Sequence, residues 1–268
     1  MKPRMIDIHS HILPFIDDGA DDWDCALTML AKAEAEGIRT IVATPHILSE
    51  HNFKNEGSKI LQIYDELRTR AKQAGLKIEI IIGSEIYAQP DTSLAHQIAT
   101  INSNQKYFLI EFPLNSIPRF VPDLLFKFAV DGIVPIIAHP ERNAGFLNRY
   151  DFVYEYVQRG NLMQINEGSL RGRFGNKPKE LAFKMIEHKL AHFVASDGHK
   201  KDTRTVTLAE SYALVTEKSN KKTAQLLFYE NPRRAILGEP IDIGEILPME
   251  SELKKSVWQK LKTFSKNQ

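Results

Sequence analysis

A chain of 268 residues, 43% of them apolar, is long enough to bury one substantial core as a single large domain. Its 35 Lys and Arg against 34 Asp and Glu leave a formal charge of +1, so no global field draws it to nucleic acid or an anionic membrane, and charged partners must be met locally. One cysteine, Cys25, excludes a disulfide framework and a thiolate zinc cluster, and Asp7 and His9 interrupt the N-terminus before a leader can form, so the chain reads as a soluble cytoplasmic protein.

Short β-rich runs alternate with helical periodicity, which predicts βα units and a parallel sheet. The first strand is "MIDIH" at 5–9, followed by a helix carrying Trp23, Leu27 and Leu30 that closes at Gly37. "IRTIVAT" (38–44) leads to a helix with Ile60, Tyr64, Leu67 and Ala71 that closes at Gly75. Further strands follow at 77–83, 107–112, 133–139, 162–166 and 192–197, then helical patterns at 204–218 and 221–230. No repeat or linker divides this stretch, so residues 1–250 read as one domain. The remaining tail, 251–268, sets Leu253, Val257, Leu261 and Phe264 in a stripe among lysines. Its plainer reading is a terminal helix on its own barrel or a solvated tail; the sharper one is peripheral contact with an anionic membrane.

The chemistry lies at the strand ends. His9, His11, His46, His139 and His199 fall at or just beyond C-terminal ends of predicted strands, as do Glu85, Glu111 and Asp197. In a βα barrel those ends converge on one face. Neutral imidazoles with carboxylates and no thiolate make Zn, Mn or Fe(II) sites and are rich in nitrogen for Mg. Any one strand-end histidine is more often a satisfied polar group than a ligand; the array argues for metal. The His9-Ser10-His11 spacing puts both imidazoles on one face of a strand. Asp7 shares that face, either as an acceptor fixing an imidazole tautomer or as a plain interior residue. Asp17 and Asp18 compete for one ligand role, or cap the helix starting near Asp22. His51, His96, His188 and His192 are assigned to surface or packing.

Arg142 follows His139 by three residues and Arg204 follows His199 by five. Arginine meets phosphate with paired N–H donors, so two of them beside a multi-metal site point to a phosphate ester. The loop "EGSLRGRFG" (167–175), with Arg171 and Arg173, reads as solvated, with a lean over substrate as the alternative. Cys25 lacks an arginine six residues on, and no P-loop or Gly-x-Gly-x-x-Gly is present.

"DIHSH", "DDG", "ATPH", "GSEIY", "IEF", "AHPER" and "SDGH", in this order over residues 5–238, resemble the polymerase and histidinol phosphatase (PHP) superfamily. Within it they look like the bacterial manganese-dependent protein tyrosine phosphatases of capsule and exopolysaccharide synthesis. The resemblance implies an α/β fold, a distorted TIM-like (β/α)7 barrel of the PHP type, and two or three divalent ions, Mn first with Fe, Zn or Mg as alternatives. His9, His11, Asp18, His46, Glu85, Glu111, His139, Asp197 and His199 stand at its ligand positions, with Asp18 rather than Asp17 in the ligand slot of "DDG". Arg142 and Arg204 stand at its phosphate-gripping positions. The implied partner is the phosphotyrosine tail of a membrane-associated bacterial tyrosine kinase, with self-association into a homo-oligomer.

The expected reaction is phosphotyrosine hydrolysis by metal-activated hydroxide, with Arg142, Arg204, His139 and Asp197 as catalytic residues and Asp197 or His199 available to assist the leaving group. The alternatives are another PHP phosphoesterase such as histidinol-phosphate phosphatase, an amidohydrolase, which usually bridges its metals with a carboxylated lysine on strand four, and a non-catalytic scaffold.

Overall fold

The strand β1, Met5–Ser10, is buried along its whole length and runs into a loop, residues 11–22, before α1, Trp23–Glu36. Residues 3–47 and 57–249 are described by the computed structural model; His51 and the tail 251–268 lie outside them. Asp22 caps α1 by accepting from Cys25 N–H at 2.7 Å, so neither Asp17 nor Asp18 serves as the cap. Gly37 ends the helix at φ 105°, a left-handed conformation that glycine adopts without a Cβ penalty.

The chain then alternates in the expected way. β2 (Ile38–Ala43) and β3 (His46–Ile47) precede α2 (Gly57–Gln73), and β4 (Glu79–Ile82) and β5 (Glu85–Tyr87) precede β6 (Tyr107–Glu111). After α3 (Val121–Val130) come β7 (Val134–Ala138), a 3-10 turn at Pro140–Arg142, α4 (Ala144–Asn148) and α5 (Tyr150–Gln158). β8 (Leu162–Asn166) continues into the single turn α6 (Glu167–Leu170), then α7 (Asn176–Glu187) and β9 (Phe193–Ala195). The described chain closes with α8 (Ala209–Lys218), α9 (Lys221–Gln225), a π turn at Leu226–Glu230 and α10 (Asn231–Leu237).

Among the described residues every strand pairing is parallel. The ladders run β1-β2-β4 and β3-β5-β6-β7-β8-β9. β3 and β5 prolong β2 and β4 beyond Thr44-Pro45 and Gly83-Ser84, so the two ladders are one sheet broken in the same layer. Pro45 has no N–H to give a ladder, yet its carbonyl still accepts from Glu85 N–H at 3.2 Å. A bridge between Ser10 and Gly198, with His11 N–H donating to Gly198 O at 2.8 Å, joins the first strand to the end of the last. The result is a distorted barrel of seven parallel strands, as expected.

Boundaries differ from the sequence reading at three elements. The strand runs 38–44 and 77–83 resume after their kinks, which carries His46 and Glu85 onto short strands of their own. The helix expected over 204–218 begins at Ala209: Arg204 is left-handed at φ 47°, and Ala209 N–H donates to Glu36 Oε2 at 3.0 Å where the helix starts. Alternation along the strands layers the barrel. Tyr107 and Leu109 precede Glu111 on β6, Leu162 precedes Gln164 and Asn166 on β8, and Phe193 and Ala195 precede Asp197, so apolar side chains plug the lower barrel and polar ones crown it. Among the described residues no helix is long and apolar enough to cross a membrane.

Candidate metal centre

His9 and His11 leave β1 at the polar end, both fully buried. A relay of hydrogen bonds sets the His9 tautomer. Asp197 is a carboxylate, so the Asn166 amide must donate to its Oδ2 (2.6 Å); Asn166 Oδ1 then accepts from Gln164 Nε2 (2.9 Å). That turns Gln164 Oε1 towards His9 Nδ1 at 2.8 Å, which protonates Nδ1 and leaves a lone pair on Nε2. His11 Nδ1 donates to Asp17 Oδ2 at 2.8 Å, so its Nε2 is likewise a lone pair. His199 Nδ1 donates to the Asp197 carbonyl at 2.9 Å, with the same consequence.

These lone pairs converge. His9 Nε2 and His11 Nε2 are 3.2 Å apart and lie 3.1 and 3.3 Å from Glu85 Oε2, which His46 Nδ1 also approaches at 3.3 Å. His139 Nε2 is 3.1 Å from Glu85 Oε1 and 3.6 Å from Glu111 Oε1. Asp18 Oδ1 lies 3.3 Å from His199 Nε2 and 3.5 Å from His46 Nε2, while Asp197 Oδ1 is 3.6 Å from both His9 and His11. Lone pairs facing lone pairs and carboxylate oxygens at such separations repel unless a proton or a metal cation sits between them. The donor set therefore fits divalent ions, with three groups able to hold one: His11, Asp18, His46 and His199; His9, His11 and Glu85; and His46, Glu85 and Glu111. The eight strand-end residues and Asp18 from the loop after β1 come together in one site.

The loop after β1 divides the two aspartates. Asp17 is buried and spends both oxygens, on His11 Nδ1–H and His46 N–H through Oδ2 and on Gly19 N–H through Oδ1. Asp18, half exposed, is the one that faces the imidazoles. Gly19 makes this turn possible, because a Cβ there would lie 2.1 Å from His11 O and 2.5 Å from His11 Cβ. Gly19→Ala is expected to cost activity about tenfold or more by displacing both His11 and its Asp17 anchor. Turnover with saturating metal measures the loss, and a wild-type rate would show that the loop tolerates the shift.

Charge follows from this crowding. Burial presses the His9 imidazole down, but Glu85 and Asp197 outweigh it and hold it at about 9. Burial and the neighbouring Glu85 carboxylate lift Glu111 to about 8, while the surrounding imidazoles hold Glu85, despite its burial, well below the usual carboxylate range. His9 and Arg204 do the same for the buried Asp197. In the absence of cations protons thus occupy places that metal would take, and binding releases them.

Over this centre opens a cavity of about 440 Å³. Tyr87, Pro113, Leu114, Asn115, Arg142 and Arg204 line it. Both guanidinium groups donate to Asp197 Oδ2, from Arg142 Nη1 at 3.0 Å and Arg204 Nη2 at 2.5 Å. His139, Asp197 and Arg204 all have positive φ (32°, 49° and 47°), a conformation that non-glycine residues rarely adopt and that clusters at functional sites.

Outside the ligand cluster the structure chooses among the readings the sequence left open, and His192 takes a packing role as expected. Asp7 does not fix an imidazole tautomer: its Oδ1 accepts from the His9 and Ser196 backbone N–H groups, and Gln164 holds the ring instead. Arg171 turns away to Glu167 and Glu210. His192, just before β9, lies at the opposite end of the barrel, where burial pulls it to about 3 and its neutral Nδ1 accepts from Met163 N–H. Gln164, Asn166 and the anchoring part of Asp17 escaped the sequence reading. The signal was a Gln and an Asn at i and i+2 on an otherwise apolar strand.

The family model for capsular polysaccharide synthesis proteins, CpsB/CapC, matches residues 5–237. The tyrosine-protein phosphatase YwqE of Bacillus subtilis is 40% identical over 220 residues, covering 80% of this chain and 85% of YwqE. The tyrosine-protein phosphatase CpsB of Streptococcus pneumoniae is 34% identical over 245 residues, covering 88% of this chain and all of CpsB. A solved chain from the crystallographic work on these two metal-dependent tyrosine phosphatases superposes with a TM-score of 0.85 at 33% identity, covering 92% of this chain and 100% of that one. With a barrel, a donor set and a sequence match that agree over nearly its whole length, the chain belongs to the CpsB/CapC family.

Proposed function

We propose that this chain is a metal-dependent protein tyrosine phosphatase that removes phosphate from a membrane-associated bacterial tyrosine kinase of capsule or exopolysaccharide synthesis. The observation that carries the reading is the convergence of five imidazoles and four carboxylates beneath two arginines that share one carboxylate oxygen. We assign His9, His11, Asp18, His46, Glu85, Glu111, His139, Asp197 and His199 as ligands of two or three ions, Mn before Fe, Zn or Mg. When bound, such ions supply Lewis acidity towards phosphoryl oxygens and lower the pKa of water from 15.7 to about 7.

The chain's own residues do the rest. Gln164, Asp17 and the Asp197 carbonyl keep protons on Nδ1 of His9, His11 and His199, so each Nε2 stays a donor of electrons to a cation. Arg142 and Arg204 bring positive charge to the cavity wall, where the equatorial oxygens of a phosphoryl group gather charge in the transition state. Asp197 acts as acceptor and ligand; held ionised, it has no proton to give the leaving group, and the tyrosyl oxygen, with a pKa of about 10, needs less help than an alkoxide. Pro113 and Leu114 offer an apolar wall for an aromatic ring.

Turnover of a phosphotyrosine peptide beside histidinol phosphate, with Mn²⁺ and with chelator, tests the proposal. Hydrolysis of the peptide with Mn²⁺ and its loss on chelation are expected. Preference for histidinol phosphate would move the assignment to a small-molecule phosphoesterase, and chelator-resistant turnover would remove the metal.

A further inference from the structure

The loop after β8 reaches the site with a residue that carries no charge. The Phe174 ring lies under the guanidinium of Arg142, with Cζ 4.3 Å from the ring centroid. Three contacts then govern Arg142. At its base, the buried Glu141 carboxylate accepts from Asn166 N–H (2.9 Å) and Ser169 Oγ–H (2.6 Å), tying the Pro140–Arg142 turn to β8 and α6. At its tip, Nη1 donates to Asp197, and against it lies Phe174.

The loop is shaped to deliver that ring. Arg173 N–H donates to Gly168 O at 2.8 Å, Arg171 is pinned between Glu167 and Glu210, and Gly175 turns the chain at φ 96°. Phe174 nestles against Gly168, where an added Cβ would meet its Cε2 at 3.1 Å. A single hydrogen bond leaves a guanidinium free to rotate about its contact, whereas a ring against its face fixes the plane in which the other N–H groups point.

We propose that Phe174 is a positioning residue for phosphate recognition: its ring fixes the plane of Arg142, so that N–H groups not spent on Asp197 face a phosphoryl group in the cavity. The inference rests on the phosphate-ester reading of the site. Without the ring, Arg142 keeps its charge but loses its orientation.

The test uses the full-length, Mn²⁺-loaded protein and inorganic phosphate as the probe, with binding followed by calorimetry. Phe174→Ala and Phe174→Leu are expected to weaken phosphate about tenfold at unchanged metal content, and Phe174→Tyr to restore it. In an Arg142→Ala background the same changes are expected to add nothing, because the ring acts through that side chain. Phenylglyoxal labelling of Arg142, mapped by mass spectrometry, reports the stack without phosphate and is expected to accelerate in Phe174→Leu. Losses equal in both backgrounds, wild-type affinity in Phe174→Leu, or unchanged labelling would overturn the proposal alone. A wild-type protein that binds no phosphate would overturn the phosphate-ester reading and, with it, the purpose assigned to the stack.

Discussion

Replacing Glu85 by Gln is expected to lower turnover at least about a thousandfold and to reduce the number of ions retained, while the fold survives. Glu85 is almost wholly buried, and its two oxygens meet four imidazoles: His9, His11 and His46 at Oε2 and His139 at Oε1. It is shared by two of the three candidate ion groups, so its charge serves more than one ion. Glutamine preserves volume but removes that charge, and its amide N–H₂ would point donors at lone pairs that need a cation. Elemental analysis of the purified variant, beside its melting temperature and its rate, separates loss of metal from loss of fold. A full complement of metal with near wild-type turnover would show that Glu85 is only a buried acceptor.

The arginines carry the second large expected effect. Arg142→Ala and Arg204→Ala should each lower kcat/KM for a phosphotyrosine peptide about a hundredfold at unchanged metal content, the scale on which removing a donor to developing negative charge is felt. The double variant should lose less than the product of the two, because both guanidinium groups donate to Asp197 Oδ2 and so are coupled through one atom. Lysine at either position should restore part of the loss, since a point charge attracts phosphate but lacks the paired N–H geometry. Strictly multiplicative losses, or equal rescue by lysine, would mean that the two act as independent charges.

The candidate ligand types were legible because all but Asp18 lie at or just past a strand end. His9 and His11 at i and i+2, and Glu111, His139 and Asp197 at or just past the ends of apolar runs, declare their position through local periodicity. Boundaries were less so. Pro45 and Gly83 interrupt strands that the pairing partners then resume, and nothing within a single run reports that its neighbour will continue the ladder. The supporting residues were hidden for the same reason: Gln164 lies 155 residues from His9, and a polar side chain on a buried strand has no local mark of what it will hold. Phe174, in a loop that reads as basic and solvated, shows its part only once Arg142 is above it.

By itself the sequence determined the alternation that makes a parallel barrel and the face on which the imidazoles and carboxylates gather. These are short-range properties, set by side-chain period and residue type. Only the tertiary structure decided that Asp17 anchors His11, which nitrogen of His9, His11 and His199 keeps its proton, and that two arginines from different loops share one oxygen. Those outcomes depend on closing seven strands into a ring, where Ser10 meets Gly198 and groups far apart in the chain come within hydrogen-bonding distance.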